Sequence, residues 1–133
     1  MRMEHCVVFS VLPGKTHAAR EFMRELAEAR LEEHERAEHR VGIVAERWFL
    51  AGSCDRELLV GMIDTADLQR MIGLLAVSLH PYDLWFKGRF REVTGTDLNE
   101  APPIDAAVLL TSSRAAPQRD RRAHAAAANA AAN

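Results

Sequence analysis

Residues 4–12, Glu4-His5-Cys6-Val7-Val8-Phe9-Ser10-Val11-Leu12, alternate as a strand does yet carry apolar side chains on both sides. Val7, Phe9 and Val11 point one way, and Cys6, Val8 and Leu12 the other. A strand of this kind has to be covered on both faces. That requirement restricts a chain of 133 residues, which its length makes a single domain. Such a domain buries roughly two-thirds of its unfolded surface and needs no staple.

Pro13-Gly14-Lys15 ends the strand and Thr16 is a good N-cap. Residues 17–38 then read as one long helix with Phe22, Met23, Leu26, Ala27 and Leu31 at helical spacing. Past Leu31 the acids and bases of Glu32, Glu33, Glu35, Arg36 and Glu38 predict that the last two turns project into water, with Glu32 and Arg36 paired. Residues 41–50 and 56–63 predict two strands joined by the turn-rich Ala51-Gly52-Ser53-Cys54-Asp55. Asp64 or Thr65 caps a second helix over 66–78, whose stripe is Leu68, Met71, Ile72 and Leu75. Leu74 and Val77 widen its apolar arc and imply burial on a second side.

Pro81 suits the first position of a further helix, because its missing N–H costs nothing there. Tyr82, Phe86, Phe90 and Val93 fall on one side of it, and Asp83 and Lys87 can pair on the other. A loop over 94–103 leads to a fourth strand at 104–111. The domain is therefore expected to span residues 1–111. Residues 112–133 hold ten alanines, four arginines and one acid with no large apolar side chain, so this tail is expected to be disordered.

The net charge of −2 argues against a nucleic-acid surface, which shows a basic patch or stripe. No apolar run reaches the ~20 residues that span a bilayer. The first residues carry no signal-peptide pattern, so the expected compartment is the cytoplasm. Cys6 and Cys54 fit no metal or CxxC spacing and read as free thiols. Arginine outnumbers lysine 15 to 2, as in chains encoded by GC-rich bacterial genomes.

The element order is β-α-β-β-α-β with an extra helix before the last strand, an α+β pattern of the ferredoxin-like, split βαβ kind. Right-handed crossovers give an antiparallel sheet in the order 4-1-3-2 with the two main helices on one face. The other, apolar face then needs a cover, and sheet-to-sheet packing of two copies into a closed barrel supplies one. The strand ending in Leu12-Pro13-Gly14-Lys15, and the histidine segment Ser78-Leu79-His80-Pro81 near the end of the second helix, resemble the dimeric α+β-barrel superfamily. That group includes antibiotic-biosynthesis monooxygenase-like proteins, small polyketide cyclases and stress-responsive barrel proteins. The resemblance covers residues 4–111 at the level of topology and implies a homodimer. Some members use no cofactor and others bind haem, so it restricts architecture more than reaction.

His80 and Asp83 are the sharpest candidate catalytic pair, a carboxylate being able to fix the tautomer of an imidazole or raise its basicity. The competing reading has His80 only capping the helix, with Asp83 serving the helix N-terminus and Lys87. Trp48, Tyr82, Trp85 and Phe86 are candidate ligand-binding residues, against the alternative of an aromatic side packed on the sheet. In Glu46-Arg47-Trp48, alternation turns one charge inward, where it needs a partner or a ligand. An edge strand that uses its charges against further pairing explains these residues as well. His34 shares a helical side with Leu31 and Ala27 and reads as a partly buried structural histidine. No pair of histidines has metal spacing on one helix, and no residue stands out as an axial haem ligand, so no metal or cofactor is expected.

The expected function is that of a small-molecule enzyme or binding protein acting on an apolar, aromatic or polyketide-like compound by cofactor-independent acid–base chemistry. A cyclase, isomerase or monooxygenase would fit. The alternative is a non-catalytic barrel serving oligomerisation or partner binding.

Overall fold

The structure, a computed structural model, describes residues 3–53, 56–104 and 106–108. Cys54 and the Ala/Arg-rich tail lie outside them. Four strands, β1 (Met3–Ser10), β2 (Ile43–Ser53), β3 (Arg56–Thr65) and β4 (Ala106–Val108), form one antiparallel sheet in the order β2-β3-β1-β4. Between them run the helices α1 (Thr16–Ala27), α2 (Leu31–Val41), α3 (Leu68–Val77) and α4 (Pro81–Thr94), followed by a 3-10 turn at Leu98–Glu100. The chain is an α+β protein, and no helix among the described residues is long and apolar enough to cross a membrane.

Val7, Leu59 and Ile63 face the helices and join Phe22, Leu26, Ala37, Met71, Ile72, Phe86 and Phe90 in the core. Among the described residues nothing packs over the opposite face of the sheet. Val8, Val60 and Phe49 are cross-strand neighbours there, and Val8 and Phe49 are 48% and 50% exposed. At the far end of α3, Val77 is exposed as well, so the predicted second buried side of that helix does not extend to it.

The single helix expected over 17–38 is two helices. Glu28 leaves helical geometry at φ −126 and ψ −79, and the N–H of Arg30 bonds back to the carbonyl of Glu25 at 2.8 Å. In a straight helix the buried positions of α2, His34, Ala37 and Val41, would sit roughly 60° around the axis from the α1 stripe of Ala19, Phe22 and Leu26. The break brings both stripes onto the core. Far from projecting into water as a whole, α2 buries His34, Ala37 and Val41 and shows solvent Leu31, Glu32, Glu35, Arg36, His39 and Arg40. Gly42, at φ 83, closes α2 in the left-handed conformation that glycine adopts without cost.

Two further expectations change. β3 runs on to Thr65, so the cap of α3 is Asp67, whose carboxylate accepts from the N–H of Arg70 at 3.0 Å. Lys87 does not pair with Asp83 across a helical turn. Its Nζ donates to the carbonyls of Leu75 (2.9 Å), Ala76 (3.2 Å) and Ser78 (2.9 Å). There it satisfies the orphan acceptors at the C-terminal end of α3. Burial pushes this ammonium below its ordinary pKa, against the pull of the Asp83 charge. Replacing Lys87 with Met strands those carbonyls, and a loss of about 2–4 kcal/mol in urea-unfolding stability is expected.

Candidate functional site

One cleft opens between the inner face of the sheet and helices α2, α3 and α4. The space between its walls totals about 660 Å³ including the open mouth, and about 60 Å³ of it can hold the centre of a water molecule. Most of the wall is aliphatic or aromatic, including Val7, Ile63, Met71 and Phe90. The polar groups gather mainly where α2 and α4 meet β2: His34, Glu38, Glu46, Tyr82 and Asp83.

A β-bulge decides which charge of strand β2 reaches this cleft. The register slips between Ile43 and Ala45, so Ile43 faces the cleft, Val44 bulges into solvent, and Glu46 and Trp48 then return to the inner face. Without that extra residue, Arg47 would point inward. Instead Arg47 lies outside beside Glu4 at 3.4 Å. Trp48 lies over Gly61, its cross-strand neighbour, and a Cβ on that glycine would come within 2.6 Å of the indole.

His34 stands at the centre of the polar end. Its Nε2 is 2.7 Å from Glu46 Oε1 and its Nδ1 is 2.7 Å from the hydroxyl of Tyr82. The indole N–H of Trp48 donates to the same Glu46 oxygen at 2.6 Å. A phenol can donate or accept, so the chain Tyr82–His34–Glu46 stays bonded whether the imidazole is neutral or charged. Glu38, one turn beyond His34 on α2, brings Oε1 to 3.7 Å from the same Nε2. No hydrogen bond to another described residue satisfies that carboxylate.

Electrostatics reinforces the geometry. Burial works to lower the pKa of His34, but the bond and charge of Glu46, with the charges of Glu38 and Glu35, more than reverse this and raise it. Burial raises the carboxyl of Glu38 to about 7, helped by the Glu46 and Glu35 charges and opposed by His34. Burial, then the Glu46 charge, raises the Tyr82 phenol far enough to keep it protonated. An imidazole held more basic than usual and a carboxyl raised to about 7 thus share one nitrogen–oxygen contact at the edge of an apolar cleft.

The residues expected to act lie elsewhere in part. His80 is the N-cap of α4: its Nδ1 accepts from the N–H of Tyr82 at 3.2 Å, and the residue is exposed. Asp83 is 1% exposed, but its carboxylate accepts from Arg40 Nη2 at 2.8 Å and from Ser78 Oγ at 2.5 Å. The two are not joined by a hydrogen bond. Trp48, Tyr82 and Phe86 line the cleft, with Phe86 stacked on His34 at 5.9 Å between ring centres. Trp85 is not among the lining residues, and the guanidinium of Arg30 covers its ring at 4.2 Å. Sequence reasoning set aside His34 as structural and Glu46 as an edge charge, and did not single out Glu38. The available signals were the i,i+4 spacing of His34 and Glu38 and the Glu46-x-Trp48 alternation on a strand with an inward charge.

His34 and Glu38 both hold a proton more tightly in the folded chain than in the unfolded one. Their contribution to stability is therefore complete at acid pH and lost as pH rises, for Glu38 between its ordinary 4.5 and about 7, for His34 above its ordinary 6.5. Thermal midpoints measured from about pH 5 to 8 are expected to fall, and Glu38→Gln to flatten the fall. Gly61→Ala pushes the Trp48 indole off its place, and a shift of tryptophan fluorescence together with a stability loss of about 1–3 kcal/mol is expected.

No protein-family model matches this chain, and comparisons with curated proteins and with solved structures likewise give no match.

Proposed function

We propose that this protein binds a small, largely apolar molecule in the cleft beneath α2 and α4 and acts on it by proton transfer. The observation that carries the reading is the gathering of most of the cleft's polar side chains at one end of an otherwise apolar wall. A ligand with an apolar body and one polar head would be oriented by such a pocket. Both nitrogens of His34 are already engaged, so Glu38, whose carboxylate has a free oxygen and a pKa of about 7, is the group that meets the ligand. A carboxyl tuned to that range is suited to general acid–base work. His34 and Glu46 stand behind it as the store of the exchanged proton. Isomerisation or cyclisation of an enolisable carbonyl compound is the reaction class that asks for no more than this.

The test uses phenol and p-cresol as probes, with the indole N–H signal of Trp48 followed by NMR during titration. A saturable shift is expected, weakened at least tenfold by Glu46→Gln, in which the acceptor of both Trp48 and His34 changes. Probes that bind without moving the Trp48 signal, or no binding at all, would remove the cleft as a ligand site.

We also propose that two copies pack through their open sheet faces, as in a ferredoxin-like dimeric barrel. The cross-strand row of Val8, half-buried Val60 and Phe49, of which Val8 and Phe49 are exposed, is the support, since apolar patches of this kind mark interaction surfaces. Sedimentation across a concentration range should give twice the chain mass, and Phe49→Lys should shift it to one. A wild-type chain that stays monomeric would undo the barrel.

A further inference from the structure

We infer that His34, Glu38 and Glu46 form a binding site for a divalent first-row transition ion such as Mn²⁺, Fe²⁺, Co²⁺ or Zn²⁺. The inference rests on the reading of this cleft as the functional site and adds to it a second occupant. One ligand atom from each of the three residues lies within 4.8 Å of the other two. Nε2 stands 2.7 Å from Glu46 Oε1 and 3.7 Å from Glu38 Oε1. Around a tetrahedral ion with bonds of about 2.0–2.2 Å, neighbouring donors lie roughly 3.4 Å apart. Reaching that arrangement opens the first contact by about 0.7 Å and closes the second by about 0.3 Å, with the two carboxylates, already within 4.8 Å of one another, adjusting alongside.

The donors come from two elements that pack against each other, α2 and β2. His34 and Glu38 occupy one face of α2 at i,i+4, and Glu46 comes from the inner face of β2 just past the bulge. One imidazole with two carboxylates is a borderline donor set that suits these ions and carries two negative charges to meet the cation. Each of two ligands also has an outer partner outside the trio. Tyr82 Oη at 2.7 Å can accept the Nδ1 proton once Nε2 is given to the ion, and the Trp48 N–H fixes Glu46 from behind. Partners of this kind are what metal-ligating histidines and carboxylates require. All three donors line the cleft, so an oxygen on the head of a small ligand there can complete the shell.

The test is titration of the full chain, stripped of metal, with Co²⁺. Expected are one ion per chain, visible d–d absorption of a low-symmetry nitrogen–oxygen site, and a rise in thermal midpoint. Glu38→Gln should weaken binding at least tenfold while circular dichroism stays that of the wild type. Tyr82→Phe, which removes only the outer partner, should weaken it about 10–100-fold. His39→Ala, on the exposed side of α2, should leave it unchanged. No stoichiometric Co²⁺ binding overturns the inference, as does binding that survives Glu38→Gln or is lost in His39→Ala. Failure here with the phenol probes still shifting Trp48 leaves the cleft a small-molecule site without an ion. Co²⁺ binding with no response to the probes would instead sink the small-molecule reading and keep the ion.

Discussion

A carboxylate on the inner face of an edge strand is the constraint on which the functional half of this molecule depends. Glu46 lies almost fully within the protein, its side chain 6% exposed, where an unpaired charge would cost several kcal/mol. Two donors meet it, the imidazole of His34 and the indole of Trp48. Each answers to a separate structural device. The bulge at Val44 points Glu46 and Trp48 inward, and the break between α1 and α2 turns His34 toward them. Without the break Glu46 would keep only the indole of Trp48, and without the bulge it would leave the inner face altogether. Neither looks like a site feature when taken alone.

The architecture was legible in the sequence to the extent that hydrophobic period reports it. β1, with both alternating faces apolar, the hairpin of β2 and β3, and the start of α4 at Pro81 follow from alternation and from proline and capping chemistry. The break at Glu28–Arg30 was not legible, because no glycine or proline lies within 17–38. It is set by which stripe must be buried, a tertiary demand that local propensity does not encode. The site was legible only in halves. His34 and Glu38 are one turn apart on one helix, but the meaning of that spacing depends on a carboxylate arriving from β2. The facing of β2 depends in turn on a bulge that shifts alternation by one residue, and a strict period of two cannot say which of Glu46 and Arg47 turns inward.

The stretch Ser78–Pro81 before α4 has a structural account in the capping of that helix. It gathers reactive side chains because a helix start needs them. His80 accepts from an orphan N–H, Ser78 and Arg40 hold Asp83, and Lys87 closes the previous helix. Capping groups and catalytic groups are drawn from the same residue types, so composition alone does not separate them. Burial and partner identity do. The imidazole of His80 has solvent on one side and bonds the backbone, whereas that of His34 is enclosed by Phe86, Tyr82 and Glu46 at the cleft.

These caps still bear on the chemistry, by placement. Tyr82 follows Pro81 at the N-terminal end of α4, and its hydroxyl must reach His34 Nδ1 to within 2.7 Å. The position of that helix end is fixed from two directions. Arg40, near the end of α2, grips Asp83 at 2.8 Å, and Lys87 ties the body of α4 to the carbonyls closing α3. A buried ion pair of this kind adds little net stability once its desolvation is counted. What it does supply is a defined distance between α2, which carries His34 and Glu38, and α4, which carries Tyr82. The charged residues that invite a catalytic reading thus act one step back from the cleft, as the spacers that let a phenol, an imidazole and two carboxylates meet.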